Sequence, residues 1–303
     1  MNPPKLTILL SLAALWSTSF NLLVNAAEQN SHFYRPEIKA TLKNGKVLLF
    51  PPELRLGTLQ YPGPKGRRGK SVIASGRVEL PKQAEVTLIP SSYLLQNPAL
   101  INCFDGAISG IEIKNEEGKQ LLQKLVAKDS IKSLRLSDIN LDQKLLLIIN
   151  SLGKLQTLQF ERTKTNTAII AATPLKCLPQ LEWLALDANT TVLLKQIGKS
   201  TFLRKLEISN AYLTPSDFVV LKSLPALRFL SIQQCHYADA AVEYFPQMKN
   251  LRILWLGKRR WSKQSILPLK RMKMLEELHV RMFDQDLPLL VELHEALPEA
   301  EVN

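Results

Sequence analysis

From residue 108 onward the apolar positions follow a frame that fits neither a simple strand nor a simple helix. In "LRFLSIQQC", Leu227 to Cys235, the apolar anchors fall at places one, four, six and nine. Strict alternation would suit a half-buried strand, and 3.6-residue spacing a helix. The frame recurs from Ile108, Ile131, Leu155, Leu181, Leu203, Leu227, Leu251 and Leu275. So regular a recurrence, at a period of roughly 24 residues, marks a repeat array. Each copy predicts a short strand whose fourth and sixth residues face inward and whose third and fifth face outward. One copy cannot bury its leucines alone, so neighbours must stack and the core runs as a continuous ladder.

Between the strands the pattern turns helical. Thr214 is placed as an N-cap, with Pro215 at the first helical position and Asp217 three places after the cap, close to a capping box. Ser262 and Asp142 are the corresponding caps elsewhere. Leu221 with Leu224, and Leu175 with Leu178, lead back into the next strand. The copies resemble leucine-rich repeats, whose pattern is LxxLxLxx(N/C)xL. That resemblance implies an α/β solenoid of about eight strand–helix repeats with its strands on the concave side. The closing "LHEALPEAEVN" resembles the end of bacterial leucine-rich repeat proteins, with a truncated last strand near Ala300 to Val302. Ninth places are less faithful: only Asn189 and Cys235 match the strict pattern, so no continuous asparagine ladder is expected.

The chain opens differently. Lys5 is the only charged side chain before Glu28, and an apolar run extends from Leu6 to Trp16. Small or modest residues, Val24 to Ala26, then precede a cleavage point, so residues 1–26 read as a secretory signal peptide. The stretch from Leu6 to Val24 also approaches the spanning length of a retained anchor. Ser17, Thr18, Ser19 and Asn21 weigh against that alternative. Residues 31–104 carry proline and glycine punctuation and short alternating runs, with strands expected at Val78–Leu80 and Val86–Leu88 joined by a turn at Pro81 to Ala84. An array must cover its first leucine layer, so this region reads as a β-rich N-terminal cap and 105–303 as the solenoid. It resembles the segment preceding the repeats in exported bacterial proteins of this kind, which implies a secreted or periplasmic location.

Charge adds one bound. The formal balance is +12, with basic runs at Lys65–Lys70, Lys258–Lys263 and Lys270–Lys273. A basic exported protein can meet an anionic envelope polymer, lipid or polysaccharide; nucleic acid is not expected. The same residues also serve plain solubility. Cys103, Cys177 and Cys235 lie too far apart for a tight disulfide framework and read as small core residues.

No catalytic signature is present. "GKS" at Gly198 to Ser200 fails as a phosphate loop because Leu193 stands where that motif needs glycine. There is no GxSxG or HExxH motif, and no cofactor or metal site is expected. Asp284 to Asp286 reads as a helix N-cap. Asn189-Thr190-Thr191 is a glycosylation sequon, but its asparagine occupies an inward place. The candidate functional surface is therefore the concave face. Outward places put Phe229, Ile253 and Trp255 together, with Trp183 further along, and Arg204, Arg228 and Arg252 stand at the strand entries. Lys258 and Arg259 follow the strand of Trp255. Exposed aromatics beside arginine are typical of interface hot spots, so a non-enzymatic protein that binds a protein partner is expected.

Overall fold

The computed structural model describes residues 45–303 apart from 63–68, 83, 105, 127–129, 199 and 258–259. The signal-peptide reading and the start of the cap lie outside the described residues. So do most of the Lys65–Lys70 loop and both Lys258 and Arg259.

The described strands are β1 (Gly45–Leu49), β2 (Gly57–Tyr61), β3 (Lys70–Ile73), β4 (Arg77–Pro81), β5 (Thr87–Pro90), β6 (Gly110–Ile113) and β7 (Ser133–Ser137). Then follow β8 (Thr157–Glu161), β9 (Trp183–Leu186), β10 (Lys205–Ser209), β11 (Phe229–Gln233), β12 (Ile253–Leu256), β13 (Glu277–Val280) and β14 (Glu301–Val302). From β5 to β14 consecutive strands pair in parallel, each with the next. The fold is a leucine-rich repeat solenoid. β2 joins β5 antiparallel and β3 joins β2, so the sheet runs unbroken into the N-terminal region. The strands expected at Val78–Leu80 and Val86–Leu88 are present, but they do not pair with each other. β4 pairs with β1 in a separate two-stranded sheet.

Register explains the odd spacing of apolar residues. Leu134, Leu158, Leu184, Leu206, Leu230, Leu254 and Leu278, all fourth-place residues, face one another on neighbouring strands and are all fully buried. The sixth and first places form flanking layers of the same ladder. From Ser109 to Arg252 each second-place backbone carbonyl accepts two bonds from the next repeat: Arg204 O from the N–H of Arg228 at 2.9 Å and of Phe229 at 3.0 Å, for example. These bonds hold the second-place side chains in one row along the strand-entry edge.

The connections vary more than the strands. Asp142 caps helix Gln143–Asn150 by accepting from Leu145 N at 2.8 Å, and Ser262 caps Lys263–Lys270. Asp217 accepts from Thr214 N at 2.7 Å ahead of helix Pro215–Lys222. Between β11 and β12 the segment Asp239–Gln247 is a 3-10 helix instead, with Pro246 inside it. In four repeats the strand exits through a left-handed residue at the eighth place: Asp138, Arg162, Asn210 and Gln234, with φ of 53°, 49°, 55° and 53°. Asp and Asn tolerate that conformation, whereas Arg and Gln occupy it at a steric cost.

Three expectations from the sequence are corrected. Asn189 is exposed, because the buried polar place of its repeat is taken by Asp187, which is 4% exposed. Asn189 instead turns back to donate its side-chain N–H to the Thr163 carbonyl, so burial is not what would obstruct the sequon. Asp286 stands at the start of helix Leu287–Ala296 but makes no side-chain capping bond there; it accepts from Trp261 N at 3.3 Å. Cys235 is only half-buried, while Cys103 and Cys177 are buried. Trp261, at the eleventh place, lies in the core as its place suggests.

Candidate functional site

The side chains projecting from the solvent face of the sheet form two rows. The third-place row runs Gly110, Ser133, Thr157, Trp183, Lys205, Phe229, Ile253 and Glu277 in direct register. The fifth-place row runs Glu112, Arg135, Gln159, Ala185, Glu207, Ser231, Trp255 and His279.

Across β9 to β13 the two rows combine into a continuous aromatic band. The Lys205 ammonium lies 3.8 Å from the ring centre of Trp183 and 4.7 Å from that of Phe229, bridging the two. Phe229 meets Trp255 edge-to-face at 5.2 Å, and Trp255 meets His279 at 4.9 Å. The Phe229–Trp255 contact is diagonal, since Phe229 faces Ile253 directly and Trp255 faces Ser231. Aromatic side chains reach across that diagonal. Ser231 is small enough to lie beneath this level and is 4% exposed although its place points outward. Sequence reasoning named Phe229, Ile253, Trp255 and Trp183 but missed Lys205. Its bridging role depends on a place between two aromatic rings on adjacent strands, one repeat away in each direction.

The charges divide unevenly. Lys205 is paired with Glu207 at 2.8 Å, and Arg135 with Glu161 at 2.7 Å. The Arg135 and Arg162 guanidiniums hold the Glu161 carboxyl below the usual carboxylate range despite partial burial. Arg252 folds back, donating to the carbonyls of Lys249 at 3.2 Å and Leu251 at 3.0 Å, with Glu276 at 3.9 Å. Arg204 and Arg228 project from the adjacent entry edges, exposed. The three arginines read together in the sequence thus differ: two reach solvent and one is tied to its own backbone. No cluster of His, Cys, Asp and Glu among the described residues has the makings of a metal site. No described helix is long and apolar enough to cross a membrane.

No family model matches the chain, and no curated protein matches it. Solved structures do. The chain is similar to the Toll–Spätzle complex of Drosophila at 12% identity, over 80% of this chain and 34% of that one, with a TM-score of 0.43. It thus spans about a third of that protein's chain. It is similar to a leucine-rich repeat protein of Leptospira interrogans at 15% identity, over 65% of this chain and 47% of that one, with a TM-score of 0.31. A Listeria monocytogenes internalin matches at 14%, over 68% of this chain and 69% of that one, with a TM-score of 0.34. The chain resembles the leucine-rich repeat family. At these identities the likeness is one of fold.

Proposed function

We propose that the chain is an exported, non-enzymatic binding protein that takes a protein partner on the concave, strand-lined face of its solenoid. The observation that carries this reading is the aromatic band from Trp183 through Phe229 and Trp255 to His279. Interfaces draw their energy from a few aromatic and arginine anchors near the centre of the contact. Here the rings meet at interplanar angles of 63° and 64°. They therefore offer a corrugated apolar surface suited to interdigitating side chains, and not the shared plane on which bases stack. Arg204 and Arg228 border the band and face a partner's acidic rim. Solenoids present extended faces of this kind as binding surfaces.

The test is a pull-down from envelope and secreted extracts with wild type and Trp255→Ala in parallel, followed by affinity measurement on the retained partner. Loss of Trp255 should weaken binding by about 2 kcal/mol or more, as emptying an interface centre does. Arg228→Ala should chiefly slow association and lower its salt sensitivity. A second reading, attachment to an anionic envelope polymer, rests on the basic runs Lys65–Lys70, Lys258–Lys263 and Lys270–Lys273. It predicts binding that collapses with salt and is indifferent to Trp255→Ala; that outcome would replace the first reading.

A further inference from the structure

The N-terminal half of the same face differs in kind from the aromatic band. A cleft of about 350 Å³ lies at the entry edge of the sheet, reaching from β2 across β5, β6, β7 and β8 to β9. Five strand-to-strand steps at roughly 4.8 Å each make it about 24 Å long. Its volume sits at the lower end of the range for small-molecule sites, about 300–1,000 Å³. It is therefore a narrow trough that suits a linear chain laid across the strands.

Its chemistry is distinctive. The floor is made of hydroxyls: Thr87, Ser109, Ser133 and Thr157. Packing fixes how low that floor is, because a Cβ on Gly110, between Thr87 and Ser133, would stand 2.7 Å from Thr87 Oγ1 and 3.1 Å from Ser133 Cβ. Gln60 and Gln156 contribute amides, and one acid, Glu85, stands with one base, Lys132, so the described lining carries no net charge. Apart from Pro62 the described lining holds no aliphatic side chain, and aromatic residues bound it at either end, Tyr61 on β2 and Trp183 on β9. The Trp183 indole N–H is buried and has no hydrogen-bond acceptor among the described residues. Such a group calls for a partner.

We propose that this trough binds a neutral linear oligosaccharide. A sugar chain offers what the lining lacks and accepts what it supplies. Its C–H faces lie against aromatic rings that are apolar on the face and polar at the rim. Its hydroxyls exchange hydrogen bonds with hydroxyls, amides and a carboxylate, all of which serve as donors, acceptors or both. A peptide would seek apolar pockets for its anchors, which the described lining does not offer, and among the described lining residues an anionic chain would meet Glu85 with only Lys132 to offset it. The site goes beyond the protein-binding reading and, Trp183 apart, uses the other half of the face.

The experiment is isothermal titration of the full chain with cellohexaose, chitohexaose and maltohexaose at up to millimolar concentration. At least one should bind. Ser133→Tyr, which fills the floor from a half-exposed place, should abolish that binding, and Trp183→Ala should weaken it at least about tenfold. Trp255→Ala, outside the trough, should bind the sugar as wild type does, so that failure of the protein-binding reading leaves this result interpretable. Circular dichroism of each variant establishes that it is folded. Absence of heat with all three sugars overturns the proposal. So does equal binding by the Ser133→Tyr and wild-type proteins, or stronger binding of a neutral Gly-Ser octapeptide than of any hexasaccharide.

Discussion

Asp187 offers the sharpest test of how the repeats are joined. It is 4% exposed, at the end of β9, and its Oδ2 accepts from both the N–H and the hydroxyl of Thr163 in the preceding repeat, at 2.6 and 2.7 Å. Its Oδ1 accepts from the Thr190 hydroxyl at 2.9 Å and from the backbone N–H groups of Asn189 and Thr190, each at 3.2 Å, within its own turn. Replacing Asp187 with alanine leaves two donors of Thr163, itself 1% exposed, facing no acceptor. A buried donor stripped of its partner costs about 1–3 kcal/mol. The Thr190 N–H and hydroxyl are spared, because both also reach the Asp187 backbone carbonyl, at 3.1 and 3.3 Å, and the N–H of the exposed Asn189 can turn to water. The expected loss for Asp187→Ala is therefore about 2–6 kcal/mol, the sum over two orphaned donors. Thr163→Val removes only the hydroxyl and should cost about 1.5–3 kcal/mol, the worth of one hydrogen bond to a charged group. Because the pair acts as a unit, the double variant should lose less than the sum of the two by about 1 kcal/mol or more. Urea unfolding followed by far-ultraviolet circular dichroism measures all four proteins, provided the slope with denaturant stays constant across them. A loss below about 1 kcal/mol for Asp187→Ala, or strict additivity, would refute the idea that this carboxylate ties two repeats together.

Two further outcomes are expected. Leu230, fully buried and facing the fully buried Leu206 and Leu254 on the neighbouring strands, should lose about 2–5 kcal/mol as Leu230→Ala, whereas the exposed Arg228→Ala should stay within about 0.5 kcal/mol; equal losses in urea unfolding would contradict the register. Burial pushes the Cys177 thiol up to about 12 and the Cys235 thiol to about 11, against 9.0 for a free thiol. The unfolded chain thus releases these protons first, so their contribution to stability is present below pH 9 and is lost as pH rises towards 11 and 12. Alkylation by iodoacetamide at pH 9 should be slow at both in the folded protein and fast in urea, with Cys235 reacting before Cys177 as pH rises; labelling of the native protein at the denatured rate would exclude the buried placement.

The ladder was legible because it repeats. Leu206, Leu230 and Leu254 recur once per repeat, and a parallel strand carries that period directly into register. Capping was legible too at Thr214, Ser262 and Asp142, where a local hydrogen bond depends on residues three apart. What escaped reading was what depends on neighbouring repeats jointly. Asp187 occupies the buried polar place two positions before Asn189 because its carboxylate can serve Thr163, in the repeat before it. The left-handed eighth places carry Asp, Arg, Asn and Gln, four residue types with no shared signature, so the conformation is imposed by the repeat and not announced by any one side chain. Arg252 shares its place in the repeat with Arg204 and Arg228, yet it turns back onto the carbonyls of Lys249 and Leu251, with Glu276 of the next repeat at 3.9 Å.

The face splits at Trp183 for a physical reason that lies in the repeat itself. Inward places answer to the core and vary little, but third and fifth places meet only their neighbours on the adjacent strands, about 4.8 Å away. Small residues next to one another leave a trough, and large ones next to one another must interlock. Gly110, Ser133 and Thr157 take the first course, and Lys205, Phe229 and Trp255 the second. Trp183 stands where they meet, with Thr157 on one side in register and Lys205 over its ring on the other. A substitution there reaches both halves. Trp183→Ala should therefore weaken a ligand of the trough and, through the loss of the Lys205 contact, loosen the orientation of Phe229 in the band. Trp255→Ala should disturb the band alone.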